Sequence, residues 1–290
     1  MQSLSSQQAR LRVMLLSTLA MIAFAANSLL CRAALSNTSI DAASFTTIRL
    51  VSGALVLWLL LQAKRQPQVS SGNWLSALAL FTYAAGFSFA YISLSTGTGA
   101  LILFGAVQAT MIGYGIWQKE RFTHWQILGL LLAFSGLVGL LLPGLSAPPP
   151  GGALLMMLAG MAWGVYSLRG KGAGNPTQIT AGNFVRSLPL ALVLSLFMLS
   201  DLNLDWAGII YAIASGALAS GVGYAIWYAA LPALKATSAA TMQLSVPVIA
   251  AIAGIVFLNE PVTLRLTLAS LAILGGIALV ILVKPKLKSA

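Results

Sequence analysis

What most limits this chain is the recurrence of apolar runs about as long as a bilayer is thick. Ten stretches are predominantly apolar, roughly 13–31, 43–61, 74–93, 99–118, 125–142, 152–168, 178–199, 206–228, 237–257 and 263–283. A helix needs about 20 such residues to cross the hydrocarbon core. The runs are continuous rather than alternating, which favours helices and argues against a β-barrel. Composition agrees, with 59% hydrophobic and 7% charged residues, against about 25% charged in a soluble domain. The chain reads as an all-α integral membrane protein with ten transmembrane helices and the lipid bilayer as its solvent.

The formal net charge is +11. The cations sit in short stretches between the apolar runs and are not interleaved with aromatics, so nucleic acid is not an expected partner. They suit the positive-inside rule instead. With a cytoplasmic N-terminus, Arg10, Arg12, Lys64, Arg65, Lys119, Arg121, Arg169, Lys171, Lys235, Lys284, Lys286 and Lys288 fall inside, Asp41, Asp201, Asp205 and Glu260 fall outside, only Arg32 and Arg265 sit near the outer ends, and Arg49 and Arg186 lie within spans. This predicts a bacterial inner-membrane protein with both termini cytoplasmic. "ARLRVMLLSTLAMIAFAAN" has the basic start and apolar core of a signal peptide, but it has a partner later in the chain and is read as the first span. Cys31 is the lone cysteine and His124 the lone histidine, so no metal or haem site is expected. No phosphate-binding glycine loop occurs. Neither a cofactor nor an enzymatic activity is expected.

The middle of the chain reads "LPGLSAPPPGGALL", which cannot continue a helix. It marks the seam of a duplication. Arg32 and Arg169, Arg49 and Arg186, and Tyr91 and Tyr228 are each 137 positions apart, and Glu120 and Glu260 correspond after a three-residue insertion. The two repeats, 1–145 and 146–290, hold five spans each. An odd number turns the second copy upside down relative to the first. Inverted repeats around a central cavity are the architecture of many secondary transporters.

"WGVYSLR" (Trp163 to Arg169), "RLVSGAL" and "RSLPLAL", and "FLNEPVT" followed by "ILGGIAL" resemble the motifs of the drug/metabolite transporter superfamily, EamA-like branch. Within it the chain is most similar to bacterial aromatic amino-acid exporters. The resemblance implies ten spans in two inverted five-helix repeats and export of small metabolites, with aromatic or other large neutral amino acids as the expected cargo and other small amphipathic metabolites or drugs as the alternative. It departs from the pattern in the first repeat, where Ala26 stands at the position of Trp163.

No Asp or Glu lies within a span, and His124 sits at a span edge. Proton-coupled carriers usually keep such groups in the bundle, so facilitated diffusion or exchange is expected, with coupling through a group of another kind as the alternative. The candidate substrate-binding residues are aromatic and amide. Tyr83 and Phe87 share a face of span three with Tyr91, four residues apart. Tyr224 follows Ser220 and precedes Tyr228 in the same way in span eight. Asn27, Gln108 and Gln243 place amides in hydrocarbon, where they must hydrogen-bond. They bond either to other helices or to a zwitterion. Trp163 is singled out by position and motif together.

Arg49 and Arg186 are related by inversion, one nearer each face, and are expected to bond helix-end carbonyls or to line a vestibule. Glycines in span eight and Pro247 in span nine are candidate hinges. The small-residue stripes Gly129–Ala133–Gly136 and Ala272–Gly276 allow close helix contact within one bundle or in a weak homodimer. A monomer suffices for the mechanism.

Overall fold

A computed structural model describes residues 6–63, 72–119, 122–144, 147–170, 175–234 and 242–282. Among them are ten helices and no strand. They are α1 (Ser6–Asn37), α2 (Ala42–Ala63), α3 (Trp74–Tyr91), α4 (Thr96–Trp117), α5 (His124–Leu141), α6 (Pro150–Gly170), α7 (Pro176–Phe197), α8 (Trp206–Ala233), α9 (Ser245–Leu258) and α10 (Leu264–Leu282). Nine are long and apolar enough to span a membrane, and α9 is shorter. Lys64, Arg65, Glu120, Arg121, Lys171, Lys235 and the C-terminal lysines lie outside the described residues.

Local chemistry sets several helix ends. Asn73, Asn175 and Asp205 cap α3, α7 and α8 by accepting from backbone N–H groups one turn on. Thr123 and Gln126 form a reciprocal capping box at α5. Asn259 ends α9 in the left-handed region, with φ of 53°. Pro247 is the third residue of α9, in its first turn, where the missing N–H has no intrahelical partner to lose. It therefore starts this helix rather than kinking its middle, and residues 242–243 form a separate helical turn before it.

The helices of the two sequence halves interlock. Helix α1 lies against α8 and α9, and α6 lies against α3 and α4. Helix α2 meets both α7 and α8, α3 meets α7, and α5 pairs with α10. Contacts within either half are sparser. Exposed leucines, valines and phenylalanines cover the outer surface, including Leu131, Phe134, Leu192, Leu218, Val256 and Leu271. Such a rim suits lipid rather than water.

Small residues let the backbones touch. A Cβ on Gly160 would come within 2.5 Å of the Leu103 carbonyl oxygen on α4. The two stripes noted in the sequence face each other within this chain. A Cβ on Gly136 would lie 2.7 Å from the Ala272 Cβ, and one on Gly129 would lie 2.6 Å from the Gly276 carbonyl oxygen.

The middle of α8, Ala214–Val222, is π-helical. Its Gly216 sits directly on the turn of α2 that carries Arg49, where any Cβ would overlap the Arg49 carbonyl oxygen. The glycine-dense stretch is thus a site of close approach.

The α5–α10 contact gives a direct test. Gly276→Leu should destabilise the protein by about 1–3 kcal/mol, the usual cost of overfilling a tight contact. Gly275→Leu should be close to neutral, because nothing lies within 4 Å of a Cβ there. Thermal unfolding of the two purified variants in detergent checks the contrast.

Candidate substrate cavity

At the centre of the bundle, α1, α3, α4, α6 and α8 surround a small cavity, closed on one side by Gln243. Phe24, Asn27, Ser28, Tyr83, Phe87, Leu103, Phe104, Trp163, Ala219, Ser220, Tyr224 and Gln243 line it. A water-sized body can enter about 30 Å³ of it, room for one or two waters. The rings fill the rest by touching one another. Trp163 is the hub, with its ring 4.8 Å from Tyr83, 5.2 Å from Tyr224 and 5.3 Å from Tyr166. The last two are stacked, at interplanar angles of 28° and 25°. Phe24 meets Tyr224 edge-on at 5.7 Å.

A hydrogen-bonded chain runs behind these rings. The Ser215 hydroxyl donates to Asn27 Oδ1 at 2.6 Å, and Asn27 Nδ2 donates to the Tyr83 hydroxyl at 3.1 Å. Arg49 donates to the same hydroxyl at 3.0 Å. Its guanidinium carbon lies 5.1 Å from the Tyr83 ring centroid and 4.9 Å from that of Phe87. Aromatic faces attract a desolvated cation in this way. Arg49 is 2% exposed.

Polar ties close both ends of the bundle. At one end Glu260, just beyond α9, accepts from the Thr96 backbone N–H at 2.8 Å and the Thr96 hydroxyl at 3.1 Å. Arg32 at the end of α1 lies 3.6 Å from that carboxylate and donates to the Tyr91 and Ile92 carbonyls. At the other end Arg169 on α6 donates to Ser76 Oγ at 3.1 Å and Asn73 Oδ1 at 3.0 Å. The Asn73 backbone N–H donates to Asn183 Oδ1 on α7.

Six of the seven expected binding residues therefore meet in one place: Asn27, Tyr83, Phe87, Trp163, Tyr224 and Gln243. Gln108 does not join them. It is buried, and it lines a separate apolar cleft between α4, α5 and α10. Tyr91 is fully buried, packs edge-on against Phe87 at 4.7 Å and donates to the Thr96 carbonyl, so it is not an interfacial belt residue.

Arg49 and Arg186 have unlike surroundings. Arg186 is half-buried and donates to the Gly182 carbonyl one turn back. Arg49 is neither on a helix-end carbonyl nor in a vestibule, because Tyr83, with its hydroxyl and ring face, draws its guanidinium to the cavity wall. Three contributors had no sequence signal. Phe24 lines the cavity and meets the Tyr224 ring, and Ser28 and Ser215 are serines in spans like many others.

These features define a multi-pass membrane protein built around a central aromatic and amide cavity. The sequence profile described as "EamA-like transporter family" matches the chain twice, over residues 11–142 and 150–282. The chain belongs to the EamA-like transporter family.

It is 57% identical to an uncharacterised protein of Pseudomonas aeruginosa, over 93% of this chain and 94% of that one. It is 30% identical to an uncharacterised transporter of Archaeoglobus fulgidus, over 66% and 69%. The threonine/homoserine exporter RhtA of Salmonella typhimurium is 27% identical, over 86% of each chain. A solved crystal structure matches with a TM-score of 0.63 at 19% identity, over 91% of this chain and 98% of that one. That likeness carries the fold alone.

The chain of hydrogen bonds predicts the cost of breaking it. Tyr83→Phe removes the acceptor of both Asn27 and Arg49 and should lower stability by about 1–3 kcal/mol, the penalty of stranded buried donors. Unfolding of the variant in detergent checks this, and Asn27→Leu combined with it should cost less than the sum of the two alone.

Proposed function

We propose that this protein exports neutral amino acids across the bacterial inner membrane by alternating access. Aromatic or other large side chains are the first expectation. In this reading the ten helices are two inverted five-helix repeats, 1–145 and 146–290, with both termini cytoplasmic. Three observations support the repeats. The family profile matches twice in succession. The helix contacts keep their pattern when each helix is exchanged for the one five places along, as α1 on α8 and α9 corresponds to α6 on α3 and α4. The residues tied together at each end are also ones that the charge pattern assigns to one side of the membrane.

The observation that carries the substrate reading is the Trp163 cluster. An apolar ring or chain entering between Trp163, Tyr83 and Tyr224 would exchange ring–ring contacts for its own. Asn27, Gln243 and Ser220 supply neutral polar groups to orient a zwitterion. The cavity as it stands is too small for an amino acid, so binding must spread the rings, and the ties at both ends fit a closed stage of the cycle. A second reading has small hydroxylated amino acids as cargo. It is favoured by the similarity to threonine/homoserine exporters over most of the chain and by the serine and amide groups on the cavity wall. Export of other small amphipathic metabolites or drugs by the same fold is the alternative to both.

Purified protein in liposomes, assayed for counterflow of labelled phenylalanine, threonine, homoserine, a nucleoside and a sugar, tests the proposal. Flux of an amino acid is expected, and flux only of the nucleoside or sugar would reject it. Trp163→Ala should reduce amino-acid flux by about tenfold or more, and Trp163→Phe should retain most of it, since stacking contacts of this kind contribute about 0.5–1.5 kcal/mol each. A pH gradient alone should not drive uphill accumulation, because no carboxylate or imidazole is among the residues lining the cavity. Accumulation under such a gradient would assign the coupling to a group elsewhere.

A further inference from the structure

Among the described residues three buried side-chain atoms lack a hydrogen-bond partner: Ser17 Oγ, Arg49 Nη1 and Ser220 Oγ. Two of the three belong to the central site. Ser220 lines the cavity. Arg49 stands behind Tyr83 and Phe87, which line it from α3. Both lie where α2 meets the π-helical segment of α8, since Gly216 rests on the Arg49 carbonyl and Ser220 is four residues further along. π-Helical turns inside α-helices occur often at functional sites.

A cation within a bundle ordinarily faces a carboxylate or a ring of acceptors. Among the described residues the one ion pair is Arg32 with Glu260, at the end of the bundle. Arg49 has two aromatic faces and one phenol oxygen, which leaves the other arm of its guanidinium without an acceptor. A guanidinium forked toward a carboxylate is the strong form of this interaction.

We propose that Arg49 and Ser220 form the carboxylate anchor of the substrate site, so that the cargo must carry a free carboxylate. The proposal rests on the transport reading above and narrows it. An entering carboxylate would supply the negative charge that the wall lacks. It would accept from Arg49 Nη1 and from the Ser220 hydroxyl as Tyr83 and Phe87 shift aside. Nothing covalent forms or breaks.

Position 83 has its counterpart, 137 residues on, at Ser220. Position 83 carries a ring whose hydroxyl and face hold Arg49, and position 220 carries a short hydroxyl with no ring to hold a second cation. The anchor is therefore single, and Arg186, on its own Gly182 carbonyl, is not a second one.

Binding, not flux, tests it. The purified full chain in detergent is titrated with phenylalanine, threonine and homoserine, each as the free acid, the carboxamide and the decarboxylated amine, with ligand-induced rise in melting temperature as the readout. At least one free acid should bind about tenfold or more tightly than its carboxamide and its amine, in keeping with a charge-assisted hydrogen bond. Arg49→Gln should bring the acid-to-amide ratio near one, Arg49→Lys should keep part of it, and Ser220→Ala should lower it about twofold to fivefold. The ratio does not move with general loss of stability. The wild-type comparison and Ser220→Ala also decide the matter should Arg49→Gln fail to fold.

Carboxamides binding as well as acids would overturn the anchor and leave the carrier standing. No binding by any of the acids would overturn the anchor too. Absence of amino-acid flux in the liposome assay, alongside acid-selective binding, would reject the export reading instead.

Discussion

In lipid, one helix gains little by hiding its leucines against another, because the hydrocarbon outside is equally apolar. Close backbone contact and polar bonds across helices must hold such a bundle together. Both are visible here, and they divide the molecule. Where glycines face a neighbour the helices touch, as with Gly160 and Gly164 of α6 against Leu103, Ala106 and Thr110 of α4. Trp163 lies between those two glycines in sequence. The same turn that clamps α6 onto α4 therefore carries the largest ring of the cavity, and it holds that ring in a fixed place. On the other side of the site, Gly216 brings α8 onto α2 at Arg49. The site is the gap left between two glycine contacts, filled with rings instead of backbone.

The same constraint explains why the two ends are polar. Helix ends expose backbone groups that must be satisfied, and here charged side chains do so across helices. Glu260 accepts from the first N–H of α4, and Arg32 donates to the carbonyls of the last residue of α3 and of its cap. Arg169 reaches the cap residue at the start of α3. Helix α3 is thus held at one end by an arginine of α1 and at the other by an arginine of α6. These two arginines stand 137 positions apart. Tyr83, Phe87 and Tyr91 all ride on α3. The helix that forms one wall of the cavity is therefore tied at both of its ends by bonds to other helices.

Much of this was legible in the chain. Continuous apolar runs match eight of the ten helices to within about five residues at each end, while α1 extends well beyond its run at both ends and α9 begins at Ser245 rather than near 237. The four-residue spacing of Tyr83, Phe87 and Tyr91 gave a shared face, and the amide of Asn27 had to be bonded somewhere, as it is to Ser215 and Tyr83. Three things were not legible. Gln108 obeys the same logic as Asn27, but its helix turns it toward α5 and α10, and helix rotation is set by glycine contacts with neighbours distant in sequence. The π-helical winding of α8 has no signature beyond its glycines and serines. Phe24 is one apolar residue among many in α1, and only the packing of α1 on α8 gives it a role beside Tyr224. Pairings between halves fixed the site, and a single sequence read along its length does not contain them.

The unequal fates of Arg49 and Arg186 follow from that. Read along the chain they are equivalents, each a cation in the second span of its half. Their surroundings differ, and one of the differences is Tyr83 on α3 against Ser220 on α8. A tyrosine offers a guanidinium a hydroxyl oxygen and a ring face, and it draws Arg49 inward. A serine is too short to span the same distance, and Arg186 bonds to its own helix instead. A strictly symmetric bundle would place both cations alike. Here Arg49 bonds the Tyr83 hydroxyl behind the central cavity while Arg186 bonds the Gly182 carbonyl, so the two copies of one motif have diverged in what they bond, and the centre of the bundle is unequal in a way that duplication alone would not produce.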